Sequence, residues 1–206
     1  MEEVLKLYQQ SIERAEQSND LETLSSAHRQ IGFLLGTKRH QKDEAREHYK
    51  QALQVSEKGS LVKEIGTIHM DMGYLYNEWG EYDKAHQSCQ RAIEIFKALG
   101  NNYGLSSTYL NLGKIFESKQ DLEEAVVWYN ESRSISVSIN NPGGQAYACF
   151  RLGKVLRQQG KLAEAEAVLL KADRLSKEFG LVETLSAAEE QLFQIKQYRS
   201  QPLFLA

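Results

Sequence analysis

Gly32, Gly73, Gly113 and Gly153 stand 41, 40 and 40 residues apart, each directly after an apolar residue: Ile31, Met72, Leu112 or Leu152. A chain with such a period is an array, because each short unit can bury its apolar face only against its neighbours. Leu35, Tyr76, Phe116 and Leu156 follow the glycines by three residues. Ala85, Ala125 and Ala165 follow by twelve, and Ala45 by thirteen because the first turn carries one extra residue. A larger group comes next (Tyr49, Cys89, Tyr129, Leu169), then a small one (Ala52, Ala92, Ser132, Ala172).

These positions have physical reasons. Glycine on one helix and alanine on the next let two helices press together, and the larger residues fill the space around them. Between them lie turns such as Trp79-Gly80-Glu81 and Gln159-Gly160-Lys161, where glycine ends a helix in the left-handed conformation. Gln120 replaces that glycine in the third unit, so its turn is expected to be tighter or more strained.

The order of these residues resembles the tetratricopeptide repeat, in its long form of about 40 rather than about 34 residues. The resemblance implies an all-α fold, a right-handed superhelical solenoid of stacked antiparallel helix hairpins. The six additional residues are expected between one hairpin and the next, with longer helices as the consequence. The long-repeat branch includes kinesin light chains, G-protein-signalling modulators and bacterial Rap-type regulators.

Sliding the pattern along the chain gives one tetratricopeptide repeat domain over 1–206. Residues 1–19 form the second helix of an incomplete repeat, since Tyr8, Ser11 and Ile12 precede Tyr49, Ala52 and Leu53 by 41. Repeats follow at 21–58, 61–99, 102–139 and 142–179, then a capping helix at 182–199 and a hydrophobic tail at 200–206. Phe193 stands where the next glycine would fall and excludes a tight partner helix. The polar residues of that helix, Gln191 among them, suit a face turned to water. Leu203, Phe204 and Leu205 either fold back beside Phe193 or mark where a longer protein was cut.

The net charge is −3 and no basic run exceeds Lys38-Arg39-His40, which argues against nucleic acid as the main partner. No signal-like run opens the sequence and no stretch is apolar enough to span a membrane, so a cytoplasmic protein with no membrane partner is expected. Cys89 and Cys149 fall on core positions and are expected to be free buried thiols.

Catalysis finds little support. The five histidines contain no i, i+4 pair among themselves, and no glycine-rich phosphate loop is present. His28 and His69 share one repeat position, where packing accounts for both. No catalytic residue, metal or cofactor is expected.

The resemblance places first-helix residues in a concave peptide-binding groove. They are Arg29, Gln30 and Phe33; Met70, Asp71, Tyr74 and Asn77, with Glu78; Leu110, Asn111 and Lys114, with Glu117; and Tyr147, Phe150, Arg151, Lys154, Arg157 and Gln158. The capping helix would add Glu190, Gln191, Gln194 and Tyr198. Acidic residues stand before Lys114, Arg151, Lys154 and Arg157, so an acidic segment or free carboxylate would be drawn to the basic end. Asn111 resembles the asparagine that holds ligand backbone in long-repeat relatives, and an amide both donates and accepts. The expectation is a non-catalytic adaptor or scaffold binding a peptide of a partner protein. The alternatives are a self-assembly element, dimerising through its terminal helices or forming part of a longer array, and a peptide-signal receptor of Rap-like type.

Overall fold

The computed structural model describes residues 2–37 and 41–200; the basic run 38–40 and the tail from 201 lie outside them. The described residues form ten helices and no strand. They are α1 (Glu2–Ser18), α2 (Leu21–Gly36), α3 (Lys42–Lys58), α4 (Val62–Glu78), α5 (Tyr82–Ala98), α6 (Asn102–Ser118), α7 (Leu122–Ser138), α8 (Pro142–Gln158), α9 (Leu162–Phe179) and α10 (Val182–Ser200).

The 40-residue period is two steps of 20. From α3 to α8, helices of 17 residues alternate with linkers of three, and a left-handed residue recurs at Ser60, Gly80, Gly100, Gln120, Asn140, Gly160 and Gly180. There the chain reverses, and the amide three residues beyond the helix bonds back five positions, as from Glu81 N to Tyr76 O at 2.8 Å and from Asp121 N to Phe116 O at 2.9 Å. Gln120 takes φ 63°, so this turn carries the expected backbone strain. Linkers between hairpins are as short as those inside them. The additional residues of the long repeat therefore lengthen the helices and do not sit between hairpins.

Side-chain caps start some of the helices. Asp20 accepts from Thr23 N at 3.1 Å, and Asn141 accepts from Gly144 N at 3.0 Å with Pro142 in the first turn, where its missing N–H costs nothing.

The chain divides into two compact units, Met1–Gly104 and Leu105–Ala206. In the first unit, Leu5, Tyr8 and Ile12 of α1 pack against Ile31, Leu35 and Ala45, which gives the unpaired first helix its core. Tyr49, Ala52, Ile68 and Leu75 form the next cluster. A Cβ on Gly73 would come within 2.5 Å of Cys89 Sγ, so the glycine is what lets α4 and α5 close. Buried serines bond across the α2–α3 hairpin, Ser25 Oγ lying 2.6 Å from Ser56 Oγ.

In the second unit, Gly113 faces the ring of Tyr129, and Gly153 faces Leu169, 2.5 Å from where a Cβ would stand. Cys149, Leu152, Val155, Leu169 and Ile195 fill one continuous core, each such side chain contributing about 1.5–3 kcal/mol by leaving water. The serine contact repeats at Ser106 and Ser136, 2.7 Å apart. Phe193 on α10 is 58% exposed, while Leu192 and Ile195 bind that helix to the core. Cys89 and Cys149 are free and buried, and burial raises both thiols, Cys89 to about 12.

Candidate ligand-binding faces

In the first unit, α2 and α4 bring Arg29 and Asp71 together. Arg29 Nη1 donates to Asp71 at 2.9 Å and its Nε donates to Glu64 at 2.7 Å, with all three half-buried. One turn further, the rings of Phe33 and Tyr74 stack with centroids 5.9 Å apart. Gln30 and Met70 are half-buried on the same helices, and Glu78 is exposed. Burial raises the Asp71 carboxyl above its usual range despite Arg29. The charged half of this face is thus ordered by its own partners.

In the second unit, Glu117 is the centre. It accepts from Tyr129 Oη at 2.6 Å and from Arg151 Nη2 at 2.6 Å, and Lys154 Nζ stands 3.1 Å away. Burial alone would raise the Glu117 carboxyl, but Arg151, the Tyr129 hydroxyl and Lys154 together hold it below the ordinary glutamate value. Arg151 and Lys154 therefore share one carboxylate, which reduces the basic end expected from the sequence. Lys114 Nζ lies 5.4 Å from the ring centre of Tyr147, which is tilted against Phe150 at 5.9 Å. Leu110 and Asn111 are half-buried on α6.

Arg157 Nε donates to Gln191 Oε1 at 2.9 Å. A cavity of about 270 Å³ beside this pair is lined by Arg157, Gln158, Leu162, Gln194, Ile195 and Tyr198, and Gln158 is exposed.

Three expectations need correction. Asn77 does not line a face: it is 8% exposed, and Glu117, forty residues on at the same repeat position, is 7% exposed. Six residues from Asp71 is a rotation of about 240°, which turns this position toward the seam between helices. Gln191 is also buried, since its bond to Arg157 draws it inward rather than to water.

Nothing in the residue pattern signalled the His28–His48 contact, with Nδ1 atoms 3.1 Å apart across α2 and α3. The recurring polar pairs, by contrast, had a signal. Arg29–Glu64, Arg46–Glu81 and Glu117–Arg151 are separated by 35, 35 and 34 residues, about one turn short of the repeat. Among the described residues, no group of three His, Cys, Asp or Glu is placed to hold a metal, and no helix is long and apolar enough to cross a membrane.

Antiparallel hairpins locked by glycine against a large side chain, presenting mixed aromatic and charged first-helix faces, define a helical-repeat interaction scaffold. The chain belongs to the tetratricopeptide repeat family: models of that repeat match residues 64–137 and 146–179, together just over half of it. It is 28% identical over 94 residues to response regulator aspartate phosphatase I of Bacillus subtilis, covering 46% of this chain and 24% of that one. It spans between a quarter and a third of the curated relatives it matches. The crystal structure of BtubC from P. vanneervenii shares its fold, with a TM-score of 0.67 and 16% identity over 97% of this chain and 91% of that one. So does a Rap protein complexed with competence and sporulation factor, with a TM-score of 0.57 and 17% identity over 91% and 65% of the two chains.

Proposed function

We propose that this chain is a non-catalytic interaction module that binds a peptide segment of a partner protein on its first-helix faces. The observation that carries this reading is the Phe33–Tyr74 stack beside the Arg29–Asp71 pair. Aromatic groups that keep part of their surface in water, set among charges already ordered, lower the entropy a peptide must lose on docking. Tyr147, Phe150 and Lys114 offer a like combination in the second unit. An acidic ligand segment would compete with Glu117 for Arg151 and Lys154.

A second reading, a receptor for a peptide signal acting in the cytoplasm, is favoured by the likeness to the B. subtilis phosphatase and to a Rap protein solved with its competence and sporulation factor. Self-association through α1 and α10 is a different class of function, and native mass spectrometry over a range of concentrations separates it from the other two.

The test is selection of a displayed random-peptide library against the wild type and against Tyr74→Ala and Arg151→Glu variants with unchanged helical circular dichroism. Peptides enriched by the wild type and lost from either variant support the reading. Equal enrichment by all three proteins would remove these faces from the function.

A further inference from the structure

α4 has a second face. His69, Met72 and Tyr76 recur at spacings of three and four residues and project from the side of the helix opposite Met70, Asp71 and Tyr74. With Lys84, Ser88 and Arg91 of α5 they line a cavity of about 380 Å³. Met72 and Tyr76 give it an apolar part, Lys84 and Arg91 bring two cations, and among the described residues no carboxylate lines it.

The cations are held loosely. Lys84 and Arg91 are exposed, and their partners are Glu81 at 2.9 Å and Glu94 at 2.8 Å. Exposed pairs of this kind contribute little, so a better acceptor displaces them readily. Glu81 would keep a partner, because Arg46 Nη2 also bonds it at 2.5 Å. Lys84 Nζ already leans over the Tyr76 ring, 5.7 Å from its centre.

His69 completes the wall. Its Nδ1 is enclosed with no hydrogen-bond partner among the described residues, so Nε2 is the nitrogen left to serve the cavity. Burial holds its pKa below the usual histidine value; Arg91 of α5 acts the same way, and Glu57 of α3 opposes it. The ring is therefore neutral near pH 7, and with its proton on Nε2 it donates.

We propose that this cavity is a binding site for a phosphate group, held between Lys84, Arg91 and His69, with the Ser88 hydroxyl beneath. A tetrahedral dianion suits it because two cations and two neutral donors line it, the carboxylates of Glu81 and Glu94 hold those cations only through exposed pairs, and charge-assisted hydrogen bonds are the strong kind. The site is separate from the face proposed for peptides and stands or falls independently of it.

Sulfate is the first probe, because it stays dianionic over the pH range used. Titration of the full chain at constant ionic strength, followed by calorimetry and by the imidazole NMR signals, should show saturable binding that moves the His69 resonances. Affinity should fall at least about ten-fold in Lys84→Ala/Arg91→Ala. It should be retained in Lys58→Ala/Lys97→Ala, which removes the same net charge elsewhere. Binding should tighten from pH 7.5 to 5.5 as His69 protonates, and His69→Phe should abolish that dependence. A peptide bearing phosphoserine that binds more tightly than inorganic phosphate would assign the group to a protein ligand; equal affinities would assign a free anion. Absence of saturable binding, or equal losses in the two double variants, would overturn the site.

Discussion

Arg151 reaches across from α8 to place Nη2 2.6 Å from Glu117 Oε2 on α6, and the same oxygen accepts the Tyr129 hydroxyl. In the first unit Asp71, also a carboxylate facing an arginine, has its pKa raised rather than lowered. The difference lies in the partners: Glu117 is served by two cations and a hydroxyl, whereas Asp71 shares Arg29 with Glu64.

Glu117→Gln should destabilise the protein by about 1–3 kcal/mol at pH 7, since it leaves Arg151 half-buried without its carboxylate. Asp71→Asn should cost less than about 1 kcal/mol, because burial already opposes its charge and Glu64 remains for Arg29. The signs differ with pH as well. Glu117, held low, contributes stability that is full above the unfolded glutamate value of about 4.3 and is lost as pH falls through the folded one. Asp71, held high, contributes below about 3.9, and that contribution is gone once pH has risen through its folded value. Urea midpoints of both variants at pH 7 and pH 3.5 check this, and equal costs at pH 7 would contradict it.

Gly73→Ala should destabilise by about 1–3 kcal/mol through overpacking, because the added methyl meets Cys89 Sγ at 2.5 Å and the Ala85 carbonyl at 3.3 Å. Removing the sulfur should relieve most of this, so Gly73→Ala/Cys89→Ala should be more stable than the sum of the single losses implies. A thermal-melt double-mutant cycle that shows strict additivity would refute the contact.

Gln120→Gly should raise stability by about 0.5–1 kcal/mol, or roughly 2–4 °C per kcal/mol in a chain of this size. Gln120 holds φ 63°, and its side chain makes a long 3.3 Å bond to Glu117 O. A melting temperature at or below wild type would show that this bond outweighs the backbone strain.

The His28–His48 contact predicts acid sensitivity. Burial depresses both imidazoles; at His28 the charge on His48 adds to the shift, and at His48 Glu44 and Glu47 oppose it. A depressed histidine contributes stability that is complete above its unfolded value of about 6.5 and is lost as pH falls through the folded one. Between pH 7 and pH 5 the wild type should therefore lose more stability than His48→Gln, with His28, still depressed by burial, and His69 supplying the slope that remains. Parallel profiles for the two proteins would show that the pair is not what titrates.

Much of the hairpin was legible because its rules are local and repeated. A glycine at 73, 113 and 153 matched twelve residues later by an alanine is a statement about two helices joined by one short turn, and the turn residue shows itself as Gly80 or Gly160. The 20-residue step was harder to see, since Ser60, Gln120 and Asn140 hold the left-handed position without being glycine. The face residues were less legible. Asn77 and Glu117 occupy helix positions that look solvent-facing from Asp71 and Asn111, yet they turn inward.

The sequence by itself determined the repeat, the antiparallel hairpins and the closeness of their helices, because period, residue volume and turn chemistry act within about 40 residues of chain. The tertiary structure decided which charges are neutralised, which amides are buried and which side chains share a cavity. Those outcomes depend on the rotation of each long helix about its own axis, and a rotation of one residue, about 100°, moves a side chain from water to core.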